Sequence, residues 1–586
     1  MADKPKSTFP DKKELERELA DYLSRKYGEQ VKVVSAGVFP AAALAEEEEK
    51  RKGPPRDGEP FHFDLKPEEL VAYLDEYVVR QDEAKAILAT RICTHFNRIR
   101  YEQSNPWLKN SGVGRIKSNV LLVGPTGVGK TYLIKLIAQR IGVPFIKGDA
   151  TKFSETGYVG GDVEDLVRDL VRQADGDIDR AQYGIIYIDE IDKIAASPNR
   201  IGIDVSRAGV QRALLKPMEE TDVELKAAHD PVSQIEAIEQ YRKTGKKEKK
   251  VINTRHILFI MSGAFSGLEE IIGRRTGRHS IGFENCIGRR DDACRDFRKV
   301  KAEDLVAFGF ENEFVGRLPV IAVLDALSVD DLYTILRNAC SSVLVAKKKD
   351  FLAYGIGLVF ADEALRLIAE RAAEEKTGAR GLVSVLERVL LPYELKLPSA
   401  AVSRLAVTAA MVRAPQQELE RLLASPEAIA ANDELWESIR AEELTRYQEM
   451  VNRTVGGLLE SFEVAATPER LALLARVCQR ENAEPEDLAY VLMDAVGEIE
   501  RFSERISAKT GVTVTFSDAA VDRALEVSGL DLEKLQAMLG AMARDFEYGL
   551  CLLAQKRPEV TVAVEEAAVD APKKFMEDLV SETFRL

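Results

Sequence analysis

Cysteine is scarce in this chain: six among 586 residues, at positions 93, 286, 294, 340, 478 and 551, with no C-x-x-C pair. That scarcity excludes a disulfide framework and leaves no zinc-ligand spacing, so no zinc is expected and a reducing compartment fits. Long apolar runs are missing too. None approaches a membrane span, and the opening Met-Ala-Asp-Lys-Pro-Lys has no apolar signal core; a cytoplasmic protein without a membrane partner is expected. Positive charge is outweighed, 82 Lys and Arg against 97 Asp and Glu, leaving a net −15. That balance argues against a nucleic-acid surface. Asp, Ser or His protease machinery is not recognisable. What is present, 45% hydrophobic and 31% charged residues over a length too great for one core, describes a soluble globular protein of several domains.

The most informative stretch is Gly124-Pro125-Thr126-Gly127-Val128-Gly129-Lys130-Thr131. It follows the apolar run Val120-Leu121-Leu122-Val123 and precedes the helix-like Tyr132-Leu133-Ile134-Lys135-Leu136-Ile137-Ala138. Strand, glycine loop and helix are the context in which G-x-x-x-x-G-K-[ST] is a phosphate site. The loop's N–H groups curl round an anion, and the helix N-terminus adds its positive dipole end. Lys130 is expected to reach the β- and γ-phosphates of ATP, and Thr131 to offer its hydroxyl to Mg²⁺.

A second constellation is Asp189-Glu190, at the end of the buried-strand run Ile185-Ile186-Tyr187-Ile188. A carboxylate there would hold Mg²⁺ through water, and the next would orient the attacking water. Positive charge against the γ-phosphate has two candidates, Arg317 in Gly316-Arg317-Leu318-Pro319 and Arg380 in Gly378-Ala379-Arg380. Taken alone, each is more often a surface or salt-bridge arginine.

Strand-like runs alternating with helices from residue 61 predict an α/β domain with a mostly parallel sheet, its ligand at the carboxyl ends of the strands. The expected organisation is an accessory segment and linker at 1–60, a large ATPase domain at 61–324 and a mainly helical small domain at 325–415. A polar helical connector at 416–485 and a degenerate repeat of the small domain at 486–586 follow. The repeat lays Asp330 to Pro415 on Glu486 to Pro572 almost without gaps, Gly355 falling on Gly511, Phe360 on Phe516 and Asp362 on Asp518. The second copy lacks the Gly-Ala-Arg triplet, reading Leu530-Asp531-Leu532-Glu533-Lys534.

From about Asp64 to Val412 the sequence resembles the ring-forming AAA+ unfoldases of the ClpX and HslU group. The matching residues are Tyr77-Val78-Val79 with Gln81, Ala84 and Lys85, the phosphate loop, Gly157-Tyr158-Val159-Gly160, Ile188-Asp189-Glu190-Ile191-Asp192-Lys193-Ile194, Gly316-Arg317-Leu318-Pro319 and Gly378-Ala379-Arg380. The resemblance implies an adenine pocket at Tyr77, Val78 and Val79. It implies metal-side and water-activating carboxylates at Asp189 and Glu190. Arg317 would be an arginine finger presented to the neighbouring subunit, and Arg380 the small-domain sensor. A site completed in trans implies an oligomer, and the family forms homo-hexameric rings. Gly157-Tyr158-Val159-Gly160 resembles the pore loop that grips polypeptide substrates, although alone it also fits a tight turn with a core tyrosine. Ile281-Gly282-Phe283 resembles the loop by which ClpX-like proteins dock a ClpP-type peptidase. Departures are the missing four-cysteine N-terminal domain, Arg80 where the family usually has glycine, and the extension beyond Val412. The implied activity is an ATP-dependent unfoldase and translocase that hydrolyses ATP and leaves proteolysis to its partner. A remodelling chaperone without a peptidase, or a nucleotide-binding scaffold, are the alternatives.

Overall fold

The computed structural model describes residues 63–105, 117–153, 161–196, 205–225, 251–276, 297–338, 341–400, 402–462, 464–556 and 561–585. The accessory segment, Gly157-Tyr158-Val159-Gly160 and Ile281-Gly282-Phe283 lie outside these residues. Two helices open the described chain, α1 (Pro67–Tyr77) and α2 (Asp82–Ser104). A five-stranded parallel sheet follows, built from β1 (Val120–Val123), β2 (Phe145–Asp149), β3 (Ile185–Asp189), β6 (Leu258–Gly263) and β7 (Val320–Val323) in the order β2-β3-β6-β1-β7. A parallel sheet is covered on both faces, so its strands read as continuous apolar runs, and all four residues of β1 are buried. Helices α3 (Lys130–Ile141), α4 (Val163–Gln173) and α5 (Val205–Met218) belong to this layer. The short antiparallel pair β4 (Asp222–Glu224) and β5 (Val251–Asn253), the brief α6 (Asn312–Gly316) and the helices Ile178–Ala181, Leu268–Arg275 and Ala302–Phe308 also belong to it.

Local chemistry sets the boundaries. Helix α3 starts after two left-handed glycines, Gly127 and Gly129, and stops at left-handed Gly142, whose N–H caps Ala138 O at 3.0 Å. Helix α4 opens on a capping box in which Asp162 and Asp165 exchange backbone bonds.

The small domain comprises α7 (Val329–Arg337), α8 (Ser342–Leu352), β8 (Gly357–Phe360), α9 (Asp362–Glu374), α10 (Ala379–Lys396), β9 (Arg404–Val407), α11 (Ala409–Arg413) and α12 (Pro415–Ala424). Strands β8 and β9 pair in parallel. Helix α12 places Leu419 and Leu422 in the same core. At roughly 1.5–3 kcal/mol for each leucine buried, that helix is part of the domain rather than the start of a free connector.

Next comes α13 (Pro426–Thr454), one continuous helix shared by two cores. Its first half lays Trp436 and Ile439 against Val359 and Ala406 of the small-domain sheet. The Trp436 indole donates to Gly357 O at 2.9 Å, and the guanidinium groups of Arg404 and Arg440 lie 4.9 and 4.8 Å from the centre of its ring. Gly357 must lack a side chain, since a Cβ would sit 2.8 Å from that indole. The second half puts Tyr447 and Val451 into the C-terminal core.

That core is built from α14 (Pro468–Glu481), α15 (Pro485–Thr510), β10 (Thr513–Phe516), α16 (Asp518–Ser528), α17 (Leu532–Lys556), β11 (Thr561–Val564), α18 (Glu566–Asp570) and α19 (Pro572–Arg585). Its strands again pair in parallel, and Gly355 and Gly511 precede β8 and β10 with φ 76° and 74°. Ala414 and Ala571, each before the proline that opens the last helix of its unit, share φ near −140° and ψ near 70°. One difference stands out: the single helix α15 replaces the two helices α7 and α8. Among the described residues no helix is long and apolar enough to cross a membrane.

Candidate nucleotide site

The carboxyl edge of the parallel sheet carries the chemistry. There a cleft of about 410 Å³ is lined by residues of the phosphate loop, Asp189, Glu190, Gly263 and Arg380. The loop's first N–H, from Gly124, bonds Gly263 O at 3.3 Å. Gly127 answers a second need besides anion binding. A Cβ there would lie 2.0 Å from Thr377 O, because the small domain comes down on the loop and Ala379 N–H donates to Gly127 O at 2.8 Å. Arg380 thereby reaches the cleft on the first turn of α10.

Lys130 extends its ammonium to Gly124 O and Pro125 O at 2.7 and 2.8 Å. Burial pulls its pKa down to about 8; the carboxylates of Asp189 and Asp192 oppose that fall, and Arg380 adds to it. A bound triphosphate would hold the proton on. ATP affinity is therefore expected to decline above pH 8, by up to about tenfold per unit. Titrating a non-hydrolysable analogue between pH 7 and 9 checks this; a flat profile would remove Lys130 as a phosphate ligand.

Asp189 sits in a network of its own. Burial raises its pKa, but hydrogen bonds from Lys147 Nζ (2.9 Å) and Ser262 Oγ (2.7 Å) outweigh burial, so the carboxyl is held below its usual range. Ser262 also meets the Tyr187 hydroxyl at 2.6 Å, and Thr131 Oγ1 lies 3.1 Å from that hydroxyl and 3.4 Å from Asp189 Oδ2. An oxygen-only pair of this kind suits Mg²⁺, which takes few protein ligands and completes its shell with water and phosphate. Lys147 supplies the cationic partner at the same carboxylate. Glu190 follows with φ 56° and ψ 34°, the left-handed region that a glutamate enters at a cost of about 1–2 kcal/mol. Strain of that kind persists where the surrounding structure fixes a functional geometry.

Lys147 and Ser262 are the residues the sequence reading did not assign. Each lies on a strand flanking β3, Lys147 in register with Tyr187, and only the strand order brings them to Asp189.

Tyr77, Val78 and Val79 stand elsewhere in the arrangement. Among the described residues the cleft lining does not include them. Tyr77 and Val78 are buried at the turn between α1 and α2, pinned by Lys85, which donates to Val78 O at 3.0 Å. This turn meets the start of the small domain: Gln81 exchanges bonds with the Asp325 backbone, and Asn338 donates to Glu76 O. Arg80 has φ 61°, which accounts for a usual glycine there; its guanidinium instead binds Asp331 at 3.0 Å.

Arg317 is also outside the cleft. It follows α6, pairs with Glu219 and lines a separate cavity of about 330 Å³ with Lys117, Asn119 and Arg255. Asn119, itself buried, donates to Arg317 O at 3.1 Å. Within one chain the guanidinium lies apart from the phosphate loop.

Residues 115–321 match the family described as AAA domain (Cdc48 subfamily), and residues 327–399 match the C-terminal, D2-small domain of ClpB protein. The chain is 42% identical over 336 residues to the ATP-dependent Clp protease ATP-binding subunit ClpX of Borrelia duttonii (strain Ly), a match covering 57% of this chain and 75% of the relative. The same protein of Borrelia recurrentis (strain A1) matches to the same extent. ClpX 3 of Methylococcus capsulatus is 40% identical over 349 residues, covering 57% of this chain and 77% of that one.

Proposed function

The chain belongs to the ClpX family of AAA ATPases, and on that premise we propose that it is an ATP-driven protein unfoldase and translocase feeding a ClpP-type peptidase. The observation that carries the reading is the cleft in which phosphate loop, Asp189, Glu190 and the small domain's Arg380 converge. Lys130 and the loop N–H groups bind the phosphates, and the family resemblance assigns the adenine side to Tyr77, Val78 and Val79, which stand by the start of the small domain rather than in the cleft lining. Glu190 takes the proton of the attacking water. When bound, Mg²⁺ held by Thr131 and Asp189 supplies charge neutralisation at the phosphates. Asp189 remains ionised because Lys147 and Ser262 both bond its charged form. Arg317 completes the site of the next protomer in a homo-hexamer, which its separation from its own cleft supports.

Hydrolysis alters the contact between α10 and the phosphate loop, and so the angle between the large domain and the small domain. That motion swings Gly157-Tyr158-Val159-Gly160, whose aromatic ring grips a threaded polypeptide by packing. Phe153 and Gly161, at the base of that segment, are bridged, with Gly161 N–H donating to Lys152 O at 3.0 Å. Ile281-Gly282-Phe283 docks the peptidase, to which all proteolysis belongs. Polypeptides are the substrate, in the cytoplasm, and no zinc takes part.

The test is reconstitution with a ClpP-type peptidase ring in ATP and a folded fluorescent reporter. The wild type should degrade it, and Phe283→Ala should keep ATP hydrolysis while losing degradation. A wild type that neither unfolds nor degrades the reporter would overturn the proposal.

A further inference from the structure

The extension beyond residue 425 touches the ATPase on both sides of its hinge. Helix α13 fixes it to the small domain through Trp436 and through Asn432, whose amide bonds both Ala406 N and Arg404 O. Being one helix, α13 carries this attachment directly into the C-terminal core. On the other side the extension reaches the large domain. Glu486, on the first turn of α15, faces Arg140 at 3.7 Å, on the last turn of the phosphate-loop helix α3. Arg140 in turn lies over the Tyr73 ring at 5.1 Å.

The seam is more than one surface pair. Burial raises the pKa of Glu76, Glu484 and Glu486, and that of the Tyr73 hydroxyl. Around them stand Arg140, Lys135 and Tyr132 of α3, Lys349 of α8, Arg453 of α13 and Asp487 of α15. Glu76 and Glu486, both partly buried and both beside Arg140, show that closing the seam has removed water from these carboxyls. The C-terminal unit must turn with the small domain, so turning the small domain against the large one has to slide or break this contact.

We propose that Glu486 and Arg140 form an intramolecular latch by which the C-terminal unit restrains the hinge and slows the ATPase. The inference rests on the nucleotide-driven hinge of the proposed function. It gives the second small-domain-like unit a role: a brace across the first unit's hinge. A partly exposed ion pair is weak, which suits a latch that nucleotide must open in every cycle.

Two readouts on the full-length chain test it. In ATP, Glu486→Ala, Arg140→Ala and the isosteric Glu486→Gln should each hydrolyse faster by about two- to fivefold, the factor a pair of this exposure can supply. The charge swap Glu486→Arg with Arg140→Glu should return the rate to that of the wild type. The second readout is energy transfer between dyes attached through azidophenylalanine at the exposed positions Tyr101 and Tyr548. ATP should change that transfer more in Glu486→Gln than in the wild type. Unchanged rates and transfer in all single variants, or a swap that does not restore them, would overturn the latch. A wild type without ATPase activity would instead sink the functional reading, and the transfer measurement would still report on the latch.

Discussion

Replacing Glu190 by glutamine is expected to leave ATP bound and to lower its hydrolysis by about a hundredfold or more, the range a positioned general base contributes. Lys130 and the loop amides are untouched by the change, so binding of a fluorescent ATP analogue should persist. Glu190 needs its left-handed backbone, and glutamine keeps the size and the local hydrogen bonding of that turn. Loss of turnover would therefore report the missing base rather than a collapsed loop. A Glu190→Gln protein that hydrolyses ATP within a few-fold of the wild type would exclude this residue as the base.

Arg317→Ala should be at least as severe, since an arginine finger is worth about 10³–10⁵ in rate. The distinctive expectation concerns mixtures. Arg317→Ala subunits retain an intact Glu190, and Glu190→Gln subunits retain an intact Arg317. Mixed together, they should regain hydrolysis, because a Glu190→Gln neighbour lends its arginine to the cleft of an Arg317→Ala subunit. Two inactive preparations that stay inactive when mixed, although shown by light scattering to form joint rings, would mean that Arg317 does not act in trans. In the single chain Arg317 pairs with Glu219, and their side chains are 47% and 40% exposed. Such an exposed pair adds little stability, so exchanging this carboxylate for a neighbour's phosphate costs little.

The phosphate loop and Asp189-Glu190 were legible because each is a local string with a local cause: strand, turn and helix follow one another without help from distant residues. The network that tunes Asp189 was not. Lys147 and Ser262 sit on β2 and β6, which flank β3 only through crossovers, and no spacing along the chain reports that adjacency. Gly127 was read for the anion it cradles, while the approach of Thr377 comes from some 250 positions away. The stretch after Pro415 looked polar for a physical reason. The buried face of α13 includes Asn432, with Glu443 beside it, groups that bond the small domain at Ala406 and Lys348 rather than fill a core, while Arg440 stacks on Trp436 of the same helix. Polar residues performing packing tasks read as a solvated helix. Arg80, a departure on paper, proved compatible with the left-handed turn a glycine would otherwise occupy.

The amide of Asn432 has one more consequence. A sheet of only two strands leaves unpaired backbone on its rims, and Arg404 O and Ala406 N face away from β8. Such a rim is a template for another molecule's strand. By accepting from one of these groups and donating to the other, a single side chain takes the place of a third strand. Helix α13 is thus also a guard against aggregation.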